Sequence, residues 1–114
     1  MHVNLDYLSD QVDHDPDMMK MMLDTFLETG PEYIRRVNHD FQAKDYVALR
    51  ASAHAFLSSL RILGAKDTAD TIVEVENCCV DEDRRHELNK LVPEAMSLAV
   101  QALAEAETAR KKIV

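Results

Sequence analysis

At 114 residues the chain is long enough for one continuous core and too short for two. Hydrophobic residues make up 46% and charged residues 30%, with 2 glycines, 3 prolines and no tryptophan, which argues against a disordered or membrane composition and leaves room for long helices and little else. The formal net charge of −8 argues against a nucleic-acid partner, because a phosphate backbone demands a concentrated basic surface.

The one basic cluster, Arg110-Lys111-Lys112, reads as cations complementing the dipole of a last helical turn. No apolar run approaches the roughly 20 residues that cross a bilayer, and acids stand near the N-terminus where a signal peptide would have a basic and then an apolar region. A cytoplasmic protein with no membrane partner is expected.

Asn4 is placed to cap a short leading helix from about Leu5 to Val12, whose Leu5, Leu8 and Val12 form one stripe. Asp15-Pro16-Asp17 is a second start: Asp15 accepts free amides, Pro16 fits the first turn, and Asp17 favours the positive end of the dipole. Met18, Met19, Met22, Leu23, Phe26 and Leu27 continue at helical spacing. Gly30-Pro31 interrupts them, and the pattern resumes in Tyr33, Ile34, Val37 and Phe41, so one long kinked helix is expected. The chain turns near Lys44, Asp45 caps, and the next helix runs to Leu63 with Gly64 in the left-handed stop position. Asp67 is expected to cap a helix from about Thr68 to Cys79. The charged stretch Asp81 to Arg85 then leads into a last helix from about Arg84 to Lys111, with Pro93 kinking it or marking its true beginning.

Nothing alternates with a period of two for long enough to make a strand. The expected fold is all-α, one domain over residues 1–114: an antiparallel four-helix bundle with a short additional N-terminal helix. Cys78 and Cys79 are adjacent, which disfavours a disulfide between them, and no second Cys/His pair at finger-like spacing supports a metal. They read as reduced helix-end residues.

The candidate functional residues lie on the helix that ends at Gly64. Taking about 100° per residue, Leu49, Ala53, Phe56, Leu60 and Leu63 share the buried stripe, and His54 falls well outside it. Arg50, Ser58 and Arg61 stand four residues before, four after and seven after His54, spacings that make neighbours on a helix. Val47, Ala51, Ala55 and Ile62 are read as an apolar rim around it, suited to transient docking. A surface imidazole beside cations is suited to meeting an anion. The other histidines, His2, His14, His39 and His86, fall at ends, turns or a charged helix and are assigned no role. No nucleotide-binding loop, Ser/His/Asp arrangement or motif-placed carboxylate pair is present, so no self-contained active site is read.

This segment resembles the signature of histidine phosphotransfer (HPt) domains, which Ala53-His54, Ser58 and Gly64-Ala65 fit. Leu57 departs from it, standing where the family usually has a lysine, and Ser58 replaces the usual glycine. The likeness runs from about Leu5 to Leu103, through Asp13 to Asp17, Leu23 to Leu27, Ala43 to Tyr46 with Leu49-Arg50, and Val75-Glu76. It implies a phosphorelay module that accepts a phosphoryl group on His54 from a receiver-domain aspartyl phosphate and passes it to another receiver. It implies a phosphocarrier rather than an enzyme, with Arg50, Leu57, Ser58 and Arg61 as phosphoryl or partner contacts. The partners implied are response-regulator receivers and a hybrid sensor histidine kinase. No cofactor of its own is implied; Mg²⁺ belongs to the receiver. Two readings stay open beside it: a degenerate adaptor or inhibitor that binds a receiver or kinase without relaying phosphate, and a bundle that dimerises or belongs to a larger kinase.

Overall fold

The computed structural model, which describes residues 3–113, contains α1 (Asp6–Gln11), α2 (Pro16–Gln42), α3 (Tyr46–Ile62), α4 (Lys66–Cys79), a 3-10 segment (Glu82–Glu87) and α5 (Leu88–Lys112), with no strand among the described residues. Two of the expected caps hold. Asp15 accepts from the amides of Asp17 and Met18 at 2.9 and 3.4 Å, and Asp45 accepts from Ala48 at 3.0 Å, each satisfying orphan donors at a helix start.

α2 runs unbroken through Pro31 as a single long helix. Gly30, just before it, is buried, and a Cβ there would lie 2.6 Å from Cδ2 of Leu103, so the missing side chain lets α5 approach α2 closely.

Elsewhere the boundaries differ from the sequence reading. α1 is shorter than Leu5 to Val12; Asn4 still contributes, accepting from the Asp6 amide at 2.9 Å. Asp67 is not the cap of α4, which begins at Lys66 behind Ala65, so that Asp67 lies inside the first turn, where its charge favours the dipole. The last helix does not start at Arg84. Asp81 caps the 3-10 segment instead, accepting from Asp83 at 3.0 Å, and α5 follows from Leu88, with Pro93 inside it rather than at its beginning.

The packing forms a ring: α3 lies against α2 and α4, and α5 closes the circle between α4 and α2. Three-residue turns join α2 to α3 and α3 to α4, which makes these neighbours antiparallel. Gly64 stops α3 at φ 67°, where the amide of Ala65 reaches back to the Leu60 carbonyl at 2.9 Å. The same turn receives the N-terminal segment, because Asn4 donates to the Leu63 carbonyl at 3.2 Å and its own carbonyl lies where a Cβ on residue 64 would stand. The fully buried Phe56 ring stacks on Tyr33 and Phe26, with centroids 5.2 and 6.4 Å away. Leu23, Val37, Leu49, Leu60, Ile72, Val75 and Val92 complete the middle of the core, each contributing roughly 1.5–3 kcal/mol by leaving water.

Candidate functional site

α3 turns His54 outward: its side chain is 75% exposed, while Ala53 and Phe56 beside it are fully buried. Its Nδ1 faces α4, 3.4 Å from Oε2 of Glu76 in hydrogen-bond geometry and 3.3 Å from Oε1. Glu76 is 15% exposed, and its Oε1 is buried without a hydrogen-bond partner. With a carboxylate oxygen as the acceptor, this contact fits the imidazole tautomer that carries its proton on Nδ1. In that tautomer Nε2, away from Glu76 on a largely exposed ring, carries the free lone pair.

Arg50, Ser58 and Arg61 are exposed on the same side of α3, as their spacing predicts. Arg35, Arg84, Arg85 and Arg110 all pair with carboxylates, whereas neither Arg50 nor Arg61 has an ion-pair partner among the described residues. Arg50, one turn from His54 and lining the same cleft, therefore remains available to an anion beside the imidazole, while Arg61 stands two turns away on the same side.

Two residues read as site contacts lie elsewhere. Leu57 is a core residue, 5% exposed, and not a surface neighbour of the imidazole. Ile62 is half-buried and lines a narrow gap with Leu8, Met22 and Phe26, away from His54, so it leaves the apolar rim. The reason is common to both. α3 is flanked by α2 and α4, with Leu8 of α1 beside its C-terminal end, and the arc they cover is wider than the stripe that periodicity marks. Val47, Ala51 and Ala55 remain exposed, and Val47 and Ala51 line a cleft of about 560 Å³ that reaches His54.

The far wall of this cleft was not read from the sequence: it consists of Cys79 and Val80 at the end of α4, and Arg85 of the 3-10 segment. Arg85 is fixed there, with its guanidinium 4.4 Å from the Tyr46 ring centre and Nη2 donating to the Cys79 carbonyl at 3.2 Å. Burial pushes the Cys79 thiol up to about 11, and Cys78 upward as well. Both thiols stay protonated near neutral pH and offer no competing nucleophile. Both cysteines are free. No grouping of three or more metal-ligating side chains occurs among the described residues.

Of the other histidines, His14 pairs with Ser9 and lies near Asp10, His39 lies against Asp40, and His2 falls outside the described residues. Glu76 is the functional candidate that spacing alone did not single out. A signal for it existed, since Ala69, Ile72 and Cys79 stand seven before, four before and three after it, which puts a carboxylate inside the apolar face of α4.

No helix of the described residues is long and apolar enough to cross a membrane. The family model of the Hpt domain matches residues 21–109. No curated protein matches the chain. Among solved structures, the chain is similar to histidine-containing phosphotransfer protein B (HptB) from Pseudomonas aeruginosa PAO1, at 25% sequence identity over 97% of this chain and 96% of that one, with a TM-score of 0.82. With the family model covering most of its length, the chain belongs to the histidine phosphotransfer (Hpt) domain family, the phosphocarriers of phosphorelays.

Proposed function

We propose that His54 takes a phosphoryl group from the aspartyl phosphate of one response-regulator receiver and delivers it to a second, a hybrid sensor histidine kinase being one source of the first receiver. The observation that carries this reading is the exposed imidazole whose Nδ1 is held by the half-buried Glu76, leaving Nε2 facing solvent.

The Nε2 lone pair attacks phosphorus opposite the aspartyl oxygen. An N–P bond forms as the P–O bond of the acyl phosphate breaks, and the receiver's aspartate leaves with the electron pair as a carboxylate. No proton moves at the reacting atoms. The ring keeps its Nδ1 proton and becomes a phosphorylated cation, whose charge the Glu76 carboxylate offsets. Delivery to the second receiver is the same exchange run backwards. In this reading Arg50, one turn from His54, neutralises the phosphoryl oxygens, Arg61, two turns away, meets the receiver's acidic surface, and Ser58 is small enough to let a partner approach. Phosphoryl transfer depends chiefly on positioning and charge neutralisation. The Mg²⁺ and acidic pocket for that step belong to the receiver.

The test is incubation with a panel of phosphorylated receiver domains and Mg²⁺. One phosphoryl group should appear, labile to acid and stable to base, and His54→Gln should abolish it while leaving the helical signal and receiver binding intact. A wild-type protein that binds receivers but takes no label from any of them would overturn the relay in favour of an adaptor.

A further inference from the structure

Six large apolar side chains are exposed among the described residues: Tyr7, Met18, Met21, Val47, Val80 and Val100. Only Val47 and Val80, 85% and 65% exposed, border the cleft that also contains His54. They stand on opposite walls, one near the start of α3 and one just beyond α4. Val47 precedes His54 by two helical turns, which is about 10 Å along the axis. The groove on the other side of α3, about 420 Å³, differs in character. It is lined by Arg35, Arg36, His39 and Asp40 beside Ala48, Ala51 and Ser52, with no large exposed apolar side chain.

Both grooves carry two arginines, so it is the pair of exposed valines that distinguishes the α3/α4 cleft. In a chain of net charge −8, its rim carries Arg50 and Arg85. Arg85 is held in place by the Tyr46 ring and the Cys79 carbonyl and makes only a loose ion pair, 3.7 Å, with the exposed Glu82, while Arg50 has no ion-pair partner among the described residues. A small apolar slot between two arginines complements an apolar side chain with a carboxylate beside it.

Building on the phosphotransfer reading, we infer that the receiver anchors in the cleft between α3 and α4, seating one apolar side chain between Val47 and Val80 with an adjacent acidic group against Arg50 and Arg85. The anchor lies about two turns from the reacting nitrogen, so it fixes the receiver's orientation without occupying the space in front of Nε2. This assigns a binding role to the end of α4 and the 3-10 segment, outside the helix that carries the nucleophile.

The experiment measures initial labelling rates against concentration of whichever phosphorylated receiver labels the wild-type chain fastest. Val47→Glu and Val80→Glu should each raise the half-saturating receiver concentration by at least about tenfold, the size of one interface anchor, with the saturated rate nearly unchanged. Val80→Ser, which removes the apolar group without adding charge, should raise it by a smaller factor. Val100→Glu, on the outer face of α5, should match wild type. Circular dichroism confirms that each variant is folded. If the cleft variants match wild type while the wild-type chain takes label normally, the anchor is elsewhere and phosphotransfer stands. If no receiver labels the wild-type chain, the phosphotransfer reading falls and this inference falls with it.

Discussion

A carboxylate in the apolar face of a helix costs free energy unless a partner compensates it, and Glu76 has only the His54 imidazole within reach on one oxygen while the other is unsatisfied. Such an arrangement is poor for stability and useful for a ring that must hold one orientation and then carry positive charge. Glu76→Ala should therefore slow phosphoryl acceptance at His54 by about tenfold, the lower end for a hydrogen bond to a charged group, because the imidazole itself is largely solvated. Glu76→Gln keeps an acceptor for the Nδ1 proton and loses the charge, so its rate should fall less. Single-turnover labelling from a phosphorylated receiver measures both, and an Ala variant at the wild-type rate would refute the positioning role. The outward direction of His54 was legible in the apolar period of α3. Its bond to Glu76 was not, because the two are 22 residues apart and only the packing of α4 against α3 brings them together.

At the scale of one element, α3 has to present His54 on one side while its other side closes the core. The period placed Leu49, Ala53, Phe56, Leu60 and Leu63 inward, and all five are buried. Periodicity did not give the width of the covered arc, which depends on how many neighbours a helix has; Leu57 is buried as well, and Ile62 is half-covered beside Leu8 of α1 and Met22 and Phe26 of α2. Helix starts show the same division. Asp15 and Asp45 were readable because each stands just before an apolar helical pattern begins, whereas the start of α5 was not, because the charged 3-10 segment runs into it without a break. In urea unfolding, Phe56→Ala should cost about 3–5 kcal/mol and Leu57→Ala about 2–5 kcal/mol, as large-to-small core changes do, while His54→Ala should cost little. Leu57→Ala should leave the labelling rate per folded molecule unchanged. Equal destabilisation by Phe56→Ala and His54→Ala would contradict this orientation of α3.

Across the whole molecule, stability is unevenly distributed, and the site lies in its firmer part. The ring of α2 to α5 shares one continuous core, and the ion pair between Arg110 and Asp24, 2.8 Å at its closest, ties the end of α5 to the start of α2. α1 is six residues long and buries only Leu8. Its connection to α2 passes through Asp13 and His14, both left-handed at φ 51° and 60°, a conformation that costs side-chain-bearing residues free energy. A helix this short does not hold itself, so α1 depends on Leu8 and on the backbone bond from Asn4 to Leu63. The Hpt family model begins at residue 21, after this segment. Native-state hydrogen exchange should therefore show the α1 amides exchanging at least about a hundredfold faster than those of Phe56 and Leu60, which open only with global unfolding. The difference should persist in His54→Gln, since the imidazole contacts neither α1 nor its turn. Protection of α1 equal to that of α3 would mean that the N-terminal segment folds as part of the ring, and would refute this uneven distribution of stability.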